Sequence, residues 1–251
     1  MQTKKGDYNV RQSNLYIVLY AAAITIVCGG ALAIASQTLK PLQDANIELE
    51  RKKNILSTVM KLEEGANIEQ LYATRVKERV IDFQGNVKSG IPASKVNIAE
   101  QYKLKPEERL LPIYEFRNQA DTSKIENAVM PVYGYGLWNN IWGFVALQSD
   151  LNTVQGVKFE HAGETPGLGA RITSDDIQER YKGKSVFDGD NVSSVVMQKG
   201  EGFDYSKDPH KVDGMSGATL TGKGVNNMLT DYLNCYKNYL KKNQKTLSLN
   251  L

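Results

Sequence analysis

Cysteine and histidine are nearly absent from this sequence, and neither sign of charge is in large excess. Its 251 residues include two cysteines and two histidines, and 31 basic against 28 acidic residues give a formal net charge of +3. Two cysteines cannot build a disulfide framework, and two histidines without ligand-like spacing predict no metal site. A charge this balanced also gives no reason to expect a nucleic-acid partner.

One long apolar run is present, close to the N-terminus. Residues 15–35 carry no charge, and a helix of that length, at about 1.5 Å per residue, crosses a hydrocarbon core of about 30 Å. A cleaved signal peptide is the alternative, because Ala33-Ile34-Ala35 resembles a cleavage site. The apolar part of a signal peptide is shorter, however, at about 7–15 residues. The sequence therefore predicts a retained transmembrane helix over 15–35.

Positive charges around this run predict its orientation. Lys4, Lys5 and Arg11 precede it closely, whereas the Arg51-Lys52-Lys53 cluster lies further beyond it. The nearer charges favour a cytoplasmic segment over 1–14 and an extracytoplasmic location for the rest of the chain. Small residues are frequent within the run, which favours close packing against other membrane subunits.

Beyond the span, the pattern changes twice. A juxtamembrane segment over 36–82 is predicted to be helical, with helices at about 41–62 and 67–82. After it, runs typical of strands occur near 110–116, 127–133, 142–147 and 153–159, and an amphipathic helix follows at about 224–242. Because the strands follow one another without intervening helices, residues 83–251 are expected to form an α+β domain, an antiparallel sheet with flanking helices.

A glycine-rich stretch, Asp213 to Gly224, leads into that last helix. Glycine lets the backbone turn tightly and approach a ligand closely, and a helix N-terminus favours an anion such as phosphate. The simplest alternative is a polar turn in which Thr221 caps the helix. A nucleotide-binding P-loop is not supported, because Gly224 stands where the motif needs a Ser or Thr to hold Mg²⁺. Ser216 also lacks the G-x-S-x-G context of a hydrolase.

Within this stretch, Asp213-Gly-Met-Ser-Gly-Ala-Thr219 resembles the flavinylation motif D-x-x-[ST]-G-A-[ST] of membrane-bound FMN proteins. In that family the final hydroxyl residue carries FMN through a phosphoester bond. The resemblance implies covalent FMN on Thr219. It also implies that a flavin transferase recognises the remaining motif residues, which are Asp213, Ser216, Gly217 and Ala218.

Two upstream segments are similar to the same family. His161–Gly169 matches H-x-x-E-T-P-G-L-G, and Pro131–Trp138 matches P-V-Y-G-x-G-L-W. A planar isoalloxazine needs a flat slot with few side chains and some polar groups at its edge. The glycines, including Gly169, together with Leu168 are expected to form the slot. Glu164 and Thr165 are expected at its edge, and Trp138 is expected near the ring.

Taken with the single N-terminal span, these segments resemble the C-type subunits of the Na⁺-translocating NADH:quinone oxidoreductases, and the FMN subunit of the Rnf ferredoxin:NAD⁺ oxidoreductases is the near alternative. The resemblance implies an electron-relaying protein, inactive alone, of the bacterial inner membrane with a periplasmic C-terminal domain. The implied partners are membrane subunits of the A, B, D, E and F types and a flavin transferase. A membrane-anchored scaffold protein with no redox role is the alternative of a different class.

Overall fold

The computed structural model describes residues 14–117 and 124–248, and the chain divides into two compact units, residues 1–50 and 51–251. The basic residues Lys4, Lys5 and Arg11 lie outside the described residues, as does nearly all of the segment 1–14. The orientation inferred from those charges therefore stays a prediction.

Helix α1, Asn14–Val59, contains the whole uncharged run and continues through Pro41. Among the residues that the structure describes, it is the one helix long and apolar enough to cross a membrane, judged by length and composition. Its last turns belong to the second unit, where Ile55 and Leu56 are fully buried. The limits 15–35, 36–82 and 83–251 of the predicted segments stay predictions.

The second unit is built on an antiparallel five-stranded sheet, as predicted. Its strands follow the order of the chain: β1 (Val76–Ile81), β2 (Leu111–Arg117), β3 (Ile125–Tyr135), β4 (Asn140–Leu147) and β5 (Val154–His161). Each strand pairs with the next in an antiparallel register, for example Val132 with Gly143 and Val145 with Val157. The domain is therefore α+β, with helices packed on an antiparallel sheet.

One predicted helix is correct in its first half and wrong in its second half. The helix expected over about 67–82 begins as α2, Ile68–Arg75, with the Asn67 side chain accepting a hydrogen bond from the Gln70 N–H, but the chain then becomes β1. Val76, Val80 and Ile81 are β-branched and pair with β2 along the whole of β1. Pairing along a sheet edge and burial of these side chains outweigh the helical spacing of the apolar residues.

Both faces of the sheet are covered. Neighbouring strand residues point to opposite faces, so Ile113, Met130 and Val145 belong to the main core, whereas Tyr114, Val129 and Ala146 belong to a second cluster. That second cluster also contains Ile55, Leu56 and Tyr72. The last helix of the chain, Thr219–Ser248, closes the main core with side chains spaced three or four residues apart: Val225, Met228, Leu229, Tyr232, Leu233, Tyr236 and Leu240.

Short elements occupy the connections. Helix α3 (Ile98–Tyr102) lies between β1 and β2. After β5 come α4 (Asp175–Glu179), a β6–β7 hairpin (Phe187–Asp188 and Asn191–Val192) and a parallel pair, β8 (Val196–Met197) and β9 (Lys211–Val212). The helix Thr219–Ser248 is α5. The parallel pair matters for the site, since β9 leads directly into the glycine-rich stretch before α5.

Candidate functional site

The residues between β9 and α5 form a tight loop, Asp213–Ala218, which we call the attachment loop. Met215 and Ala218 are buried in the main core, whereas Ser216 and Gly217 are exposed. Gly217 has φ +73°, a left-handed conformation that other residues adopt at a cost. Two buried side chains thus fix a loop whose middle faces solvent.

Helix α5 begins at Thr219, five residues before the predicted start near Gly224. The difference arises because Gly224 is not a turn residue. It lies within the helix, at a point where a Cβ would collide with the backbone oxygen of Tyr135, and its lack of a side chain lets the helix pack closely against that backbone. Thr219 itself is exposed, and within the described residues no hydrogen bond of its hydroxyl is found. The Gly222 N–H donates to the Ala218 carbonyl oxygen, so the N–H groups of Thr219 to Thr221 precede the first intrahelical bond.

Thr221 does not cap the helix. Its side chain is buried, and its hydroxyl donates to Glu164 Oε2 at 2.6 Å. The polar-turn interpretation of this stretch is therefore wrong for Thr221. The residue instead connects α5 to the loop after β5.

Glu164 is the buried carboxylate at the centre of the site, with 4% of its surface exposed. Its Oε1 accepts hydrogen bonds from the Trp138 N–H at 2.9 Å and the Asn139 N–H at 3.4 Å, while Oε2 accepts from Thr221. Burial alone would raise the pKa of Glu164, but the hydrogen bonds from Thr221 and from backbone N–H groups lower it below the ordinary value. Glu164 is therefore a charged carboxylate, and its hydrogen bonds connect the β3–β4 turn, its own loop and the start of α5.

Two glycines make room for this carboxylate. A Cβ at Gly136 would lie 2.5 Å from Glu164 Oε1, and a Cβ at Gly169 would lie 2.6 Å from Oε2. Gly169 is buried and leaves room for Glu164, and its expected place in a slot for the ring stays a prediction. The imidazole of His161 adds to the same arrangement, because its Nδ1 accepts the Glu164 N–H at 3.2 Å.

Several apolar side chains in the segments of this site are exposed. Trp138 is 69% exposed and Leu168 is 42% exposed, and Leu137 and Leu220 are exposed as well. The Trp138 indole N–H donates to Thr165 Oγ1 at 3.1 Å, which joins the β3–β4 turn to the loop containing Leu168. A Cβ at Gly217 would lie 2.8 Å from Leu168 Cδ2, so that leucine touches the attachment loop.

The structure thus brings together sequence segments that are far apart. Through direct contacts, Trp138, Thr165 and Glu164 form one connected group that Thr221 links to α5, and Leu168 meets the attachment loop at Gly217.

Charged residues lie in the attachment loop and in contact with it. The Asp213 carboxylate accepts hydrogen bonds from the N–H groups of Gly202 and Gly214. Glu201 forms ion pairs with Arg171 and Arg180, and no pattern in the sequence points to any of the three.

These residues fit a phosphate-linked planar cofactor. An exposed threonine hydroxyl stands at the N-terminus of a 30-residue helix, where unpaired N–H groups favour an anion. Trp138 and Leu168 offer exposed apolar surface that is suited to a flat aromatic ring, and Leu168 lies against the attachment loop at Gly217. Gly217 adds no side chain of its own to this surface.

Comparison with known proteins agrees with this arrangement. Residues 136–234 match the family described as FMN-binding domain. The chain is 31% identical over 244 residues to the C-type subunit of the Na⁺-translocating NADH-quinone reductase of Haemophilus ducreyi, covering 90% of this chain and 93% of that protein. It is 32% identical over 255 residues to the corresponding protein of Neisseria meningitidis serogroup A, covering 95% and 96%.

A solved structure shares the fold. The crystal structure of the C-type subunit of the Na⁺-translocating NADH-quinone reductase from Parabacteroides distasonis superimposes with a TM-score of 0.70 at 28% sequence identity. The match covers 80% of this chain and 96% of that one.

Proposed function

The chain belongs to the family of C-type subunits of the Na⁺-translocating NADH-quinone reductases, and from this we propose that it relays electrons through FMN attached covalently to Thr219. As a member of that family it is one part of an oxidoreductase complex, and we expect it to be inactive alone. Its relatives described above are all C-type subunits, which favours this family over the Rnf type, and the FMN-binding domain favours a redox role over a scaffold.

The observation that carries the proposal is the position of the Thr219 hydroxyl. It is exposed at the first residue of α5, in the last position of the D-x-x-S-G-A-T pattern, while the neighbouring Thr221 hydroxyl is buried and engaged by Glu164. A transferase can therefore reach Thr219 and cannot reach Thr221. The phosphate joined there would lie near the N–H groups that precede the first intrahelical bond of α5.

The other residues would orient the cofactor. Trp138 and Leu168 would contact the ring, and Thr165 would hold the Trp138 indole through the hydrogen bond between them. Glu164 would keep the turn and the helix start in fixed positions without leaving a charge exposed to the ring. When bound, FMN supplies the redox chemistry.

Helix α1 supports a single-pass membrane anchor. We further propose that the domain after it is periplasmic, that it docks against the other membrane subunits of a complex that moves Na⁺ and reduces quinone, and that a flavin transferase loads it. A covalent bond suits that location, since a domain outside the cytoplasm cannot draw on cytoplasmic FMN.

The test is the intact mass of the full chain produced together with a flavin transferase. Wild type and Thr221→Ala are expected to gain one FMN, and Thr219→Ala none. If wild type gains no mass while the transferase modifies a known substrate, covalent attachment is wrong. If Thr219→Ala still gains FMN, the assigned residue is wrong.

A further inference from the structure

The attachment loop lies beside a second loop, Gln198–Gly202, for a topological reason. Strands β8 and β9 are parallel, so the segments that follow them leave the pair at the same end. The two loops are in close contact: a Cβ at Gly214 would collide with the backbone oxygens of Gln198 and Gly200. The Gly202 N–H also donates to Asp213 Oδ2 at 2.7 Å.

Glu201 connects this second loop to the middle of the attachment loop. Its Oε2 accepts the Ser216 N–H at 3.0 Å. The same carboxylate is paired in a fork with Arg171, whose Nη1 and Nη2 lie 2.9 and 2.6 Å from Oε2 and Oε1. Arg171 lies in a short 3₁₀ helix, Gly169–Thr173, that directly follows Leu168, so one carboxylate joins both glycine-rich segments of the site.

Arg180 completes the arrangement. Its Nη2 donates to Glu201 Oε1 at 3.1 Å, and its Nη1 donates to the Gly214 carbonyl oxygen at 2.5 Å and to the Asp213 carbonyl oxygen at 3.3 Å. The guanidinium thus holds the beginning of the attachment loop, while Glu201 holds its middle. Asp176 lies close to both arginines and adds a second acceptor.

We propose that Glu201 is a positioning residue for cofactor attachment: together with Arg171 and Arg180 it holds the attachment loop in the conformation that presents Thr219, and it fixes this loop relative to the loop containing Leu168. The inference rests on the proposed function. None of these three residues lies within the D-x-x-S-G-A-T pattern. Hydrogen bonds from Arg171, the Ser216 N–H and Arg180 lower the pKa of Glu201 far below its ordinary value, so the carboxylate stays charged at neutral pH.

The experiment compares the full-length wild type with Glu201→Ala, Glu201→Gln and a control, Glu179→Ala. Glu179 lies on α4, is mostly exposed, and pairs only loosely with Lys182 at 4.0 Å. Two quantities are measured: hydrogen exchange at the Ser216 amide before loading, and the initial rate at which a transferase adds FMN. Thermal unfolding of each variant identifies any loss of the whole fold.

For Glu201→Ala we expect Ser216 exchange to rise and FMN addition to slow, each on the order of tenfold, which corresponds to loss of one hydrogen bond to a charged group. Glu201→Gln keeps an acceptor oxygen and is expected to fall between Ala and wild type. Because Gln preserves size and an acceptor, it still tests the proposal if the Ala variant does not fold. Glu179→Ala is expected to match wild type.

Two results would overturn the inference. Unchanged exchange at Ser216 in both Glu201 variants would mean that the carboxylate does not hold the loop. Increased exchange with an unchanged rate of FMN addition would mean that the loop conformation does not matter for attachment. Failure of wild type itself to accept FMN from an active transferase would instead overturn the proposed function, and this inference with it.

Discussion

Thr219 and Thr221 lie two residues apart on the same helical turn and are in opposite environments. Thr219 is exposed, whereas Thr221 is 1% exposed and donates to the buried carboxylate of Glu164. A hydrogen bond to a buried charge contributes more to stability than one between neutral groups, and its loss leaves the charge less well solvated. Of the two hydroxyls, one is therefore available for chemistry and the other supports the fold.

Replacing each threonine by valine, which has the same shape, separates these roles. Thr221→Val is expected to lower the free energy of unfolding by about 1.5–3 kcal/mol, because Glu164 loses a charge-assisted hydrogen bond. Thr219→Val is expected to change it by less than about 0.5 kcal/mol, as is usual for an exposed position. Denaturant unfolding of both unloaded variants measures the difference. Equal stabilities would mean that the Thr221–Glu164 bond contributes nothing.

At the scale of elements, helix α5 both closes the domain and carries the site. Its buried face packs on the sheet, and the Tyr236 hydroxyl donates to the Pro112 carbonyl oxygen at 2.7 Å. Its first turn carries Thr219. Any change that loosens the packing of α5 thus also affects the site at its N-terminus.

A pair of neighbouring substitutions on α5 tests this packing. Leu229 is 2% exposed within the main core, whereas Thr230 is exposed. Leu229→Ala is expected to cost about 2–5 kcal/mol of unfolding free energy, and Thr230→Ala less than about 0.5 kcal/mol. The measurement is denaturant unfolding followed by circular dichroism. A small effect at Leu229 would contradict the close packing of α5 against the sheet.

Much of the element order can be predicted, because the signals are local. Four strands and the apolar face of α5 follow from alternation and from three- and four-residue spacing. The observed bounds of the four strands agree with the predicted ones to within about two residues. Strand β1 is not predicted, since its pairing with β2 depends on residues thirty or more positions away. The start of α5 is predicted too late, because Gly224 meets a distant backbone oxygen that no local pattern reveals.

The site is predictable to the same extent. Recognisable patterns occur in the sequence at Asp213–Thr219 and His161–Gly169. The contacts that join these segments in the fold leave no such pattern. The role of Glu164 as a buried acceptor depends on Thr221, which is 57 residues away. Glu201 reaches Ser216 only because β8 and β9 are parallel, and strands of two residues each are too short to leave a pattern in the sequence.

At the scale of the whole molecule, the second unit includes the last turns of α1. Ile55 and Leu56 are 0% exposed and complete the second cluster, which also contains Tyr72 and Phe116. The end of the long N-terminal helix is therefore part of the domain and not only a connection to it.

Two fragments test where the folded domain begins. A fragment of residues 51–251 is expected to be monomeric in the absence of detergent and to unfold cooperatively. A fragment of residues 65–251 lacks Ile55 and Leu56, each of which contributes about 1.5–3 kcal/mol when buried, and is expected to be less stable and to associate through the exposed cluster. Thermal unfolding and size-exclusion chromatography measure both. Equal stability of the two fragments would show that the helix end is dispensable.

The order of the elements also has a consequence for biosynthesis. The sheet and its connections are translated first, but the main core stays open until α5 supplies its side chains from Val225 to Leu240. A nascent chain that ends before that point has no closed interior, and a ribosome hides the most recent residues. The main core of this domain therefore closes only after α5 has emerged, and the Thr219 hydroxyl takes its final place at that stage.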